Sequence, residues 1–299
     1  MLMKLLFYII ILFLIIPLKA SPLVNADWLS QNLCKENIKL IEVGSSYNSY
    51  LVEHIKCSQY TNFYKNGWRD NKKKIPMYLP EPEFLINILK KMGISNADHV
   101  ILYPKKNTDI YSMAETAAIY FTFKYLGHEK ISILDGGYPD FKKKFDLFIE
   151  EGEFKVKASS NYKAQIERSI LANSNDIIES IKNNDQLVDA REKDFYLGIN
   201  KLKGFGKFGT IESSINIPSK WFLEGRGLSF NNLNLLKKIY YYSKIDLNDN
   251  LIFFCYSGLE SSINWFVSHE LMKNKNSKLY EGSLFDWVSK NKPLYKKKL

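Results

Sequence analysis

Short apolar runs alternate along this chain with amphipathic stretches, from about residue 22 to about residue 295. The segments KLIEVGSS (39–46) and QLVDAREK (186–193) each read as a buried strand ending in an acidic residue and a turn. ADHVILYP (97–104) and NDNLIFFC (248–255) each place acidic and Asn turn residues ahead of a strand. ISILDGGYPDF (131–141) and SKLYEGSLFDW (277–287) run through strand, acidic residue, glycine and aromatic in the same order. The offsets within these pairs are 147, 151 and 146 residues, so the chain is an internal duplication of one unit. Between the strands, EPEFLINILKKMG and SMAETAAIYFTFKYLG in the first unit, and NLNLLKKIYYYS and SSINWFVSHELMKN in the second, carry helical spacing. Strand alternating with helix predicts an α/β fold: two tandem units, each a mainly parallel sheet flanked by helices. Residues 151–172, charged and then rich in Ser and Asn, read as a linker between units at 21–150 and 173–299. ANSNDIIESI then reopens a helix with Ser or Asn as its N-cap.

Composition agrees with two packed domains. The 299 residues are 45% hydrophobic and 14% aromatic, which excludes a disordered chain. The opening MLMKLLFYIIILFLIIPLKA has an early Lys4, an apolar run from Leu5 to Leu18 and a small Ala20, the layout of a secretory signal over residues 1–20. That run is shorter than the roughly 20 residues of a spanning helix, and Pro17 near its end favours processing. Leu18 and Lys19 depart from a standard cleavage site. The expectation is an exported protein, periplasmic or secreted, with no stable membrane insertion once the signal is removed; a retained anchor is the alternative. Losing Lys4 and Lys19 takes two from the formal charge of +10. The remaining lysines are scattered, with no interleaved aromatic platform, so they read as solvated side chains and no nucleic-acid partner is expected.

Three cysteines are present, Cys34, Cys57 and Cys255. An odd count leaves at least one without an intrachain partner. Nothing in the spacing of Cys34 and Cys57 demands a bridge, and the favoured reading is that both are buried as small apolar residues. Cys255 sits differently, between the strand LIFF and a tight loop with Gly258, ahead of a helix from about Ser261. Ligands of open α/β sheets gather outside the carboxyl ends of strands. There, loop N–H groups and a helix start favour an anion, so the thiol is expected to ionise below the ordinary cysteine value. No metal or cofactor is called for.

With these residues in view, the chain resembles the tandem-domain rhodanese family of thiosulfate and 3-mercaptopyruvate sulfurtransferases. LVDAREKDFYLG resembles that family's strand ending in Asp, X, Arg; GTIESSINIP its Gly-His-Ile stretch closing in Asn-Ile-Pro; and CYSGLE its six-residue cysteine loop. ISILDGGYPDF and LYEGSLFDW resemble the motif that closes each domain. The resemblance implies that Cys255 attacks the sulfane sulfur of a small anionic donor, holds it as a persulfide and yields it to cyanide or a thiol, with ping-pong kinetics. It implies substrate contacts from Tyr256, Ser257, Gly258, Leu259 and Glu260, and a donor-gripping role for Arg191. It also implies an inactive first domain, since Pro104 aligns with Cys255. A monomer is expected.

The sequence departs from the family pattern in several places. Tyr256 and Ser257 follow the cysteine, where the thiosulfate branch has Arg and Lys and the mercaptopyruvate branch has Gly then Ser or Ala. Leu197 stands where the latter has a second arginine, Thr210 replaces a histidine that the first domain keeps as His54, and Glu260 brings a carboxylate to the loop's rim. Which donor is natural stays open. A cysteine phosphatase would need an arginine at the sixth position after Cys255, where Ser261 stands. A non-catalytic sulfur carrier or binding module of the same fold remains the alternative.

Overall fold

Runs of three or four apolar residues bury fully only when both faces of a strand are covered, which a parallel sheet between helix layers provides. The computed structural model describes residues 20–70, 75–106, 109–156, 158, 161–225 and 227–297. The expected signal therefore lies outside the described residues except for Ala20, as do residues 157, 159 and 160 of the expected linker. The first half runs β1 (Leu23–Val24), α1 (Ala26–Asn32), β2 (Ile38–Val43), α2 (Tyr47–Val52), β3 (His54–Ile55), β4 (Ser58–Thr61), α3 (Pro82–Lys91), β5 (His99–Pro104), α4 (Tyr111–Tyr125), β6 (Ile131–Leu134), α5 (Gly137–Lys144) and β7 (Ile149–Glu150). The second runs β8 (Leu171–Ala172), α6 (Ser174–Asn183), β9 (Gln186–Asp189), α7 (Lys193–Leu197), β10 (Ile215–Asn216), β11 (Leu223–Glu224), β12 (Ser229–Phe230), α8 (Leu233–Tyr242), β13 (Leu251–Phe254), α9 (Ser261–Trp265), β14 (Ser277–Tyr280) and α10 (Ser283–Ser289).

The main sheets have the orders β1-β6-β5-β2-β4 and β8-β14-β13-β9-β10, one topology built twice from parallel pairs. One boundary shifts. Leu171 and Ala172, read from the sequence as the end of the linker, pair with Leu279 and Tyr280 and belong to the second sheet, as Leu23 and Val24 pair with Ile133 and Leu134 in the first. The N-cap of α6 is Asn173, with Asp176 completing a capping box.

Helix α4 is buried nearly all round, and it is the helix between the halves. Phe121 meets Trp265, and Tyr120 meets Phe266, both edge to face with centroids 4.8 Å apart. Trp265 ends α9, and Phe266 opens the π-helical turn Phe266–Leu271 that continues it.

The halves also exchange one polar contact in both directions. The Phe230 N–H donates to Asp135 in the turn after β6 (2.9 Å), and the Leu79 N–H donates to Glu281 in the matching turn after β14 (2.8 Å). Each half thus closes on an acceptor carried by the other.

The cysteines of the first half correct the sequence reading. Cys34 is exposed, Cys57 is half-buried, and the two form a disulfide with Cα atoms 5.4 Å apart. Each sits in a left-handed turn, after α1 and between β3 and β4, and the sheet brings those turns together. That meeting is tertiary, which is why a separation of 23 residues carried no local signal of it.

Candidate active site

Strand β13 is buried at all four positions and sits between β9 and β14, with Phe254 in register with Asp189. Cys255 is the next residue, beyond the carboxyl end of the strand and only 2% exposed. The Ser261 hydroxyl lies 3.5 Å from its Sγ, and the backbone N–H groups of Ser257 and Ser261 also hydrogen-bond to the sulfur. The turn that aims them needs Gly258: its φ is +79°, and a Cβ there would stand 2.4 Å from the Glu281 carbonyl oxygen. Helix α9 runs on without a break into the π-helical turn Phe266–Leu271, so its start adds positive potential to the amides of this cradle.

Behind the loop stands the turn from β14 into α10. The Cys255 N–H donates to Ser283 Oγ (3.1 Å), and that hydroxyl donates to the Tyr280 carbonyl (2.7 Å). The Leu284 N–H donates to the Cys255 carbonyl at 3.2 Å, and the Phe285 N–H to that of Tyr256 at 3.0 Å. Ser283 holds φ +47°, a conformation that favours glycine, and its counterpart in the first half is Gly137 at φ +57°. Their neighbours explain the difference. Cys255 has an N–H that needs an acceptor, whereas Pro104 has none. Ser283→Ala, which keeps the strained backbone and orphans a buried N–H, is expected to lower stability by about 1–3 kcal/mol. Ser283→Gly, which relieves the backbone while losing the same bond, should fall between alanine and wild type in urea unfolding.

The loop residues divide by depth. Tyr256 is buried; its hydroxyl accepts the Leu202 N–H (2.9 Å) and its ring meets Phe205 and Phe195. Leu259 is buried in the core that spans both halves, Gly258 is buried, and Ser257 and Glu260 are half-buried.

Arg191 departs from its expected role as an open clamp. It is 1% exposed, with Nη2 2.6 Å and Nε 3.0 Å from the Asp189 carboxylate and Nη2 2.9 Å from the Gly209 carbonyl. Its Cζ lies 4.6 Å from the centroid of the Tyr256 ring. The cause is Asp189, a fully buried carboxylate that requires a counter-charge and also takes the Thr210 hydroxyl (2.7 Å). Thr210, where the family pattern has histidine, thus serves the same carboxylate. The first half meets the same need from another loop: buried Glu42 aligns with Asp189, and Lys105, next to Pro104, lies 3.4 Å from it.

Electrostatics also reverse an expectation. Burial, and next the Glu260 carboxylate, push the Cys255 thiol above its ordinary value, outweighing the downward pull of the Ser261 hydroxyl and the Ser261 and Ser257 amides. Burial is the larger effect: the cradle's donors do not recover what the sulfur loses in leaving water. Glu260 is pushed up to about 7, first by burial and then by Asp189 and Glu192, with Arg191 pulling back. Tyr111, at the start of α4 in the first half, comes within the field of Glu260, Cys255 and Glu192. Sequence reading missed Tyr111 because it reaches the site from the other half. It missed Ser283 as well, although the contrast between DGG and EGS in the repeated turns marks that position.

Comparison with known proteins shows two matches to the family described as Rhodanese-like domain, at residues 25–144 and 174–290. A protein of Saccharopolyspora erythraea named "Putative thiosulfate sulfurtransferase" is 31% identical over 278 residues, spanning 89% of this chain and 93% of that protein. The 3-mercaptopyruvate sulfurtransferase of Mus musculus is 25% identical over 279 residues, 93% of this chain and 87% of that one. Among solved structures, SseA from Escherichia coli, described as a 3-mercaptopyruvate sulfotransferase with the rhodanese fold, superposes with a TM-score of 0.75 at 22% identity, covering 88% of this chain and 99% of its own.

Proposed function

The chain belongs to the rhodanese family, its domain present twice, and from that membership we propose that it is a sulfurtransferase working through a persulfide on Cys255. The donor is a small anion bearing a transferable sulfur, thiosulfate or 3-mercaptopyruvate, and the acceptor is cyanide or a thiol. One observation carries this reading: among the described residues Cys255 is the one free cysteine, and it stands at a strand end with two loop amides and a hydroxyl turned on its sulfur.

In the first half-reaction the thiol's proton passes to water or to the departing group, and the sulfur attacks the donor's transferable sulfur, the outer sulfur of thiosulfate or the single thiol sulfur of mercaptopyruvate. The donor bond breaks, and its electron pair leaves with sulfite or the pyruvate carbon. The amides of Ser257 and Ser261 then hold the persulfide anion, which, being larger and more acidic than a thiol, is better matched to them. In the second half-reaction the acceptor takes the outer sulfur and restores Cys255. Asp189 and Arg191 act together beneath the loop, the guanidinium backing the Tyr256 ring. The first half supplies no nucleophile and shapes the cleft. Export suits the Cys34–Cys57 disulfide, since such bonds persist in oxidising compartments.

A carrier that loads sulfur without turning over is the second reading, favoured by the burial and the Glu260 carboxylate that push the Cys255 thiol up. Incubating residues 21–299 with thiosulfate or mercaptopyruvate, and then with excess cyanide, separates the two. Repeated thiocyanate release supports the enzyme, a single equivalent supports the carrier, and no sulfur on Cys255 sinks both.

A further inference from the structure

Lysines that lie scattered along the sequence are in part gathered by the fold. After α7 the chain makes a loop, GINKLKGFGKFG (198–209), whose two ends meet: a Cβ at Gly198 would stand 2.8 Å from Lys296 Cγ and 3.2 Å from the Gly209 Cα. The C-terminal segment crosses this neck, the Thr210 N–H donating to the Tyr295 carbonyl (3.0 Å) and the Tyr295 N–H to that of Thr210 (2.8 Å). Lys207 Nζ donates to the Lys292 carbonyl at 3.2 Å, and the Nζ atoms of Lys201 and Lys296 each lie 4.9 Å from the centroid of the exposed Phe208 ring. Neither 198–209 nor 287–297 contains an acidic residue. At their edges Lys290 pairs with Asp286 (2.9 Å), and Asp194 accepts from the Asn200 side-chain amide (2.8 Å). Lys201, Lys203, Lys207, Lys292, Lys296 and Lys297 have no ion-pair partner among the described residues. Exposed between them are Ile199, Leu202, Phe208 and Tyr295.

Two ammonium groups held on one exposed ring, with further lysines beside them and no counter-charge, make a strongly positive face. The apolar side chains among them decide between occupants. A highly acidic protein would answer the lysines but set Ile199, Leu202 and Phe208 against charge. An anionic lipid surface answers both, taking the apolar tips at the headgroup and acyl boundary and the ammonium groups among its phosphates. We propose that the loop 198–209, with the C-terminal segment beside it, is a docking face for an anionic lipid surface, on which the protein lies without spanning it. Charge and apolar insertion are separate signals, and stable peripheral attachment takes two. The face adjoins the candidate active site. The Leu202 N–H donates to the Tyr256 hydroxyl at 2.9 Å, and the buried Phe205 ring meets that of Tyr256 with centroids 5.0 Å apart. The residue after Cys255 is thus anchored by the same loop that meets the lipid.

The test uses the full mature chain, residues 21–299, mixed with vesicles of phosphatidylcholine alone or of phosphatidylcholine and phosphatidylglycerol in equal parts. Co-sedimentation gives the partition coefficient. The wild type is expected to bind the charged vesicles and not the neutral ones. It should be released as salt rises from about 0.1 M to about 1 M, because the Debye length falls from about 10 Å to about 3 Å. Lys201→Gln, Lys203→Gln and Lys207→Gln together should lower the partition coefficient about a hundredfold, at roughly fivefold for each lysine near an anionic surface. Phe208→Ser, which keeps every charge, should lower it about tenfold by removing an apolar tip. Urea unfolding of each variant checks that its fold is intact. As a control, Lys237→Gln, Lys238→Gln and Lys244→Gln remove the same charge from α8 and the turn after it, and should leave binding nearly unchanged. An equal loss in that control, or full binding by the variant at 201, 203 and 207, overturns the proposal. So does a wild type that ignores charged vesicles; its retention on polyglutamate instead would assign the face to an acidic protein.

Discussion

Cys255→Ser is expected to end sulfur loading altogether and to cut turnover by at least about 10³-fold, since removing a covalent nucleophile leaves only binding and loop electrostatics. The substitution is close to isosteric, and the backbone bonds that seat the residue, to Ser283 Oγ and from the Leu284 N–H, do not involve its side chain. The variant should therefore fold, which separates loss of chemistry from loss of structure. The readout is the mass of proteolytic peptides after exposure to donor. In the wild type the Cys255 peptide should gain one sulfur atom; in the variant no peptide should. Cys34 and Cys57 offer no competing thiol while their disulfide is intact. Sulfur found on either would sink the assignment of Cys255.

The repeated strand patterns were legible because a period of two or a four-residue apolar run is a local property, and so was the duplication, which needs only the order of motifs. Cys255 was legible for the same reason: strand, cysteine, glycine and helix follow one another in the chain. What the sequence hid depends on which side chains meet across space. Asp189 and Arg191 are two residues apart, yet only the buried strand end shows that the guanidinium is committed to the carboxylate. The ionisation of Cys255 was misjudged because the amides, the helix start and the Glu260 carboxylate are all visible in a sequence, whereas complete burial, the largest effect, is not. Cys34 and Cys57 pair because two turns meet, and Tyr111 comes from the other half altogether.

Arg69→Met should show the second large effect, this time on stability. Arg69 belongs to the first half and is 4% exposed; its Nη1 donates to the Trp68 carbonyl and the Thr122 hydroxyl, its Nη2 to the Ala118 carbonyl at 3.1 Å, and its Nε pairs with Glu281 of the second half. Glu281 is 2% exposed, so methionine would leave its carboxylate buried without a counter-charge, at a cost of about 3–5 kcal/mol. The sign of the pH dependence follows from the same pair. Burial pushes the Glu281 carboxyl up and Arg69 pulls it back, so the variant's folded value rises further above that of the unfolded chain. A raised carboxyl contributes its stability below the unfolded value, about 4.3, and loses it as pH climbs through the folded value. The variant should therefore lie closest to wild type near pH 5 and fall furthest behind near pH 8 in urea unfolding. Adding Glu281→Gln, which removes the orphaned charge and keeps an acceptor for the Leu79 N–H, should recover most of the loss and flatten that pH dependence. A cost below about 1 kcal/mol for Arg69→Met at pH 8 would mean that water reaches Glu281 once the arginine is gone. The apolar contacts of α4 would then be what binds the two halves, with the ion pair only marking where they meet.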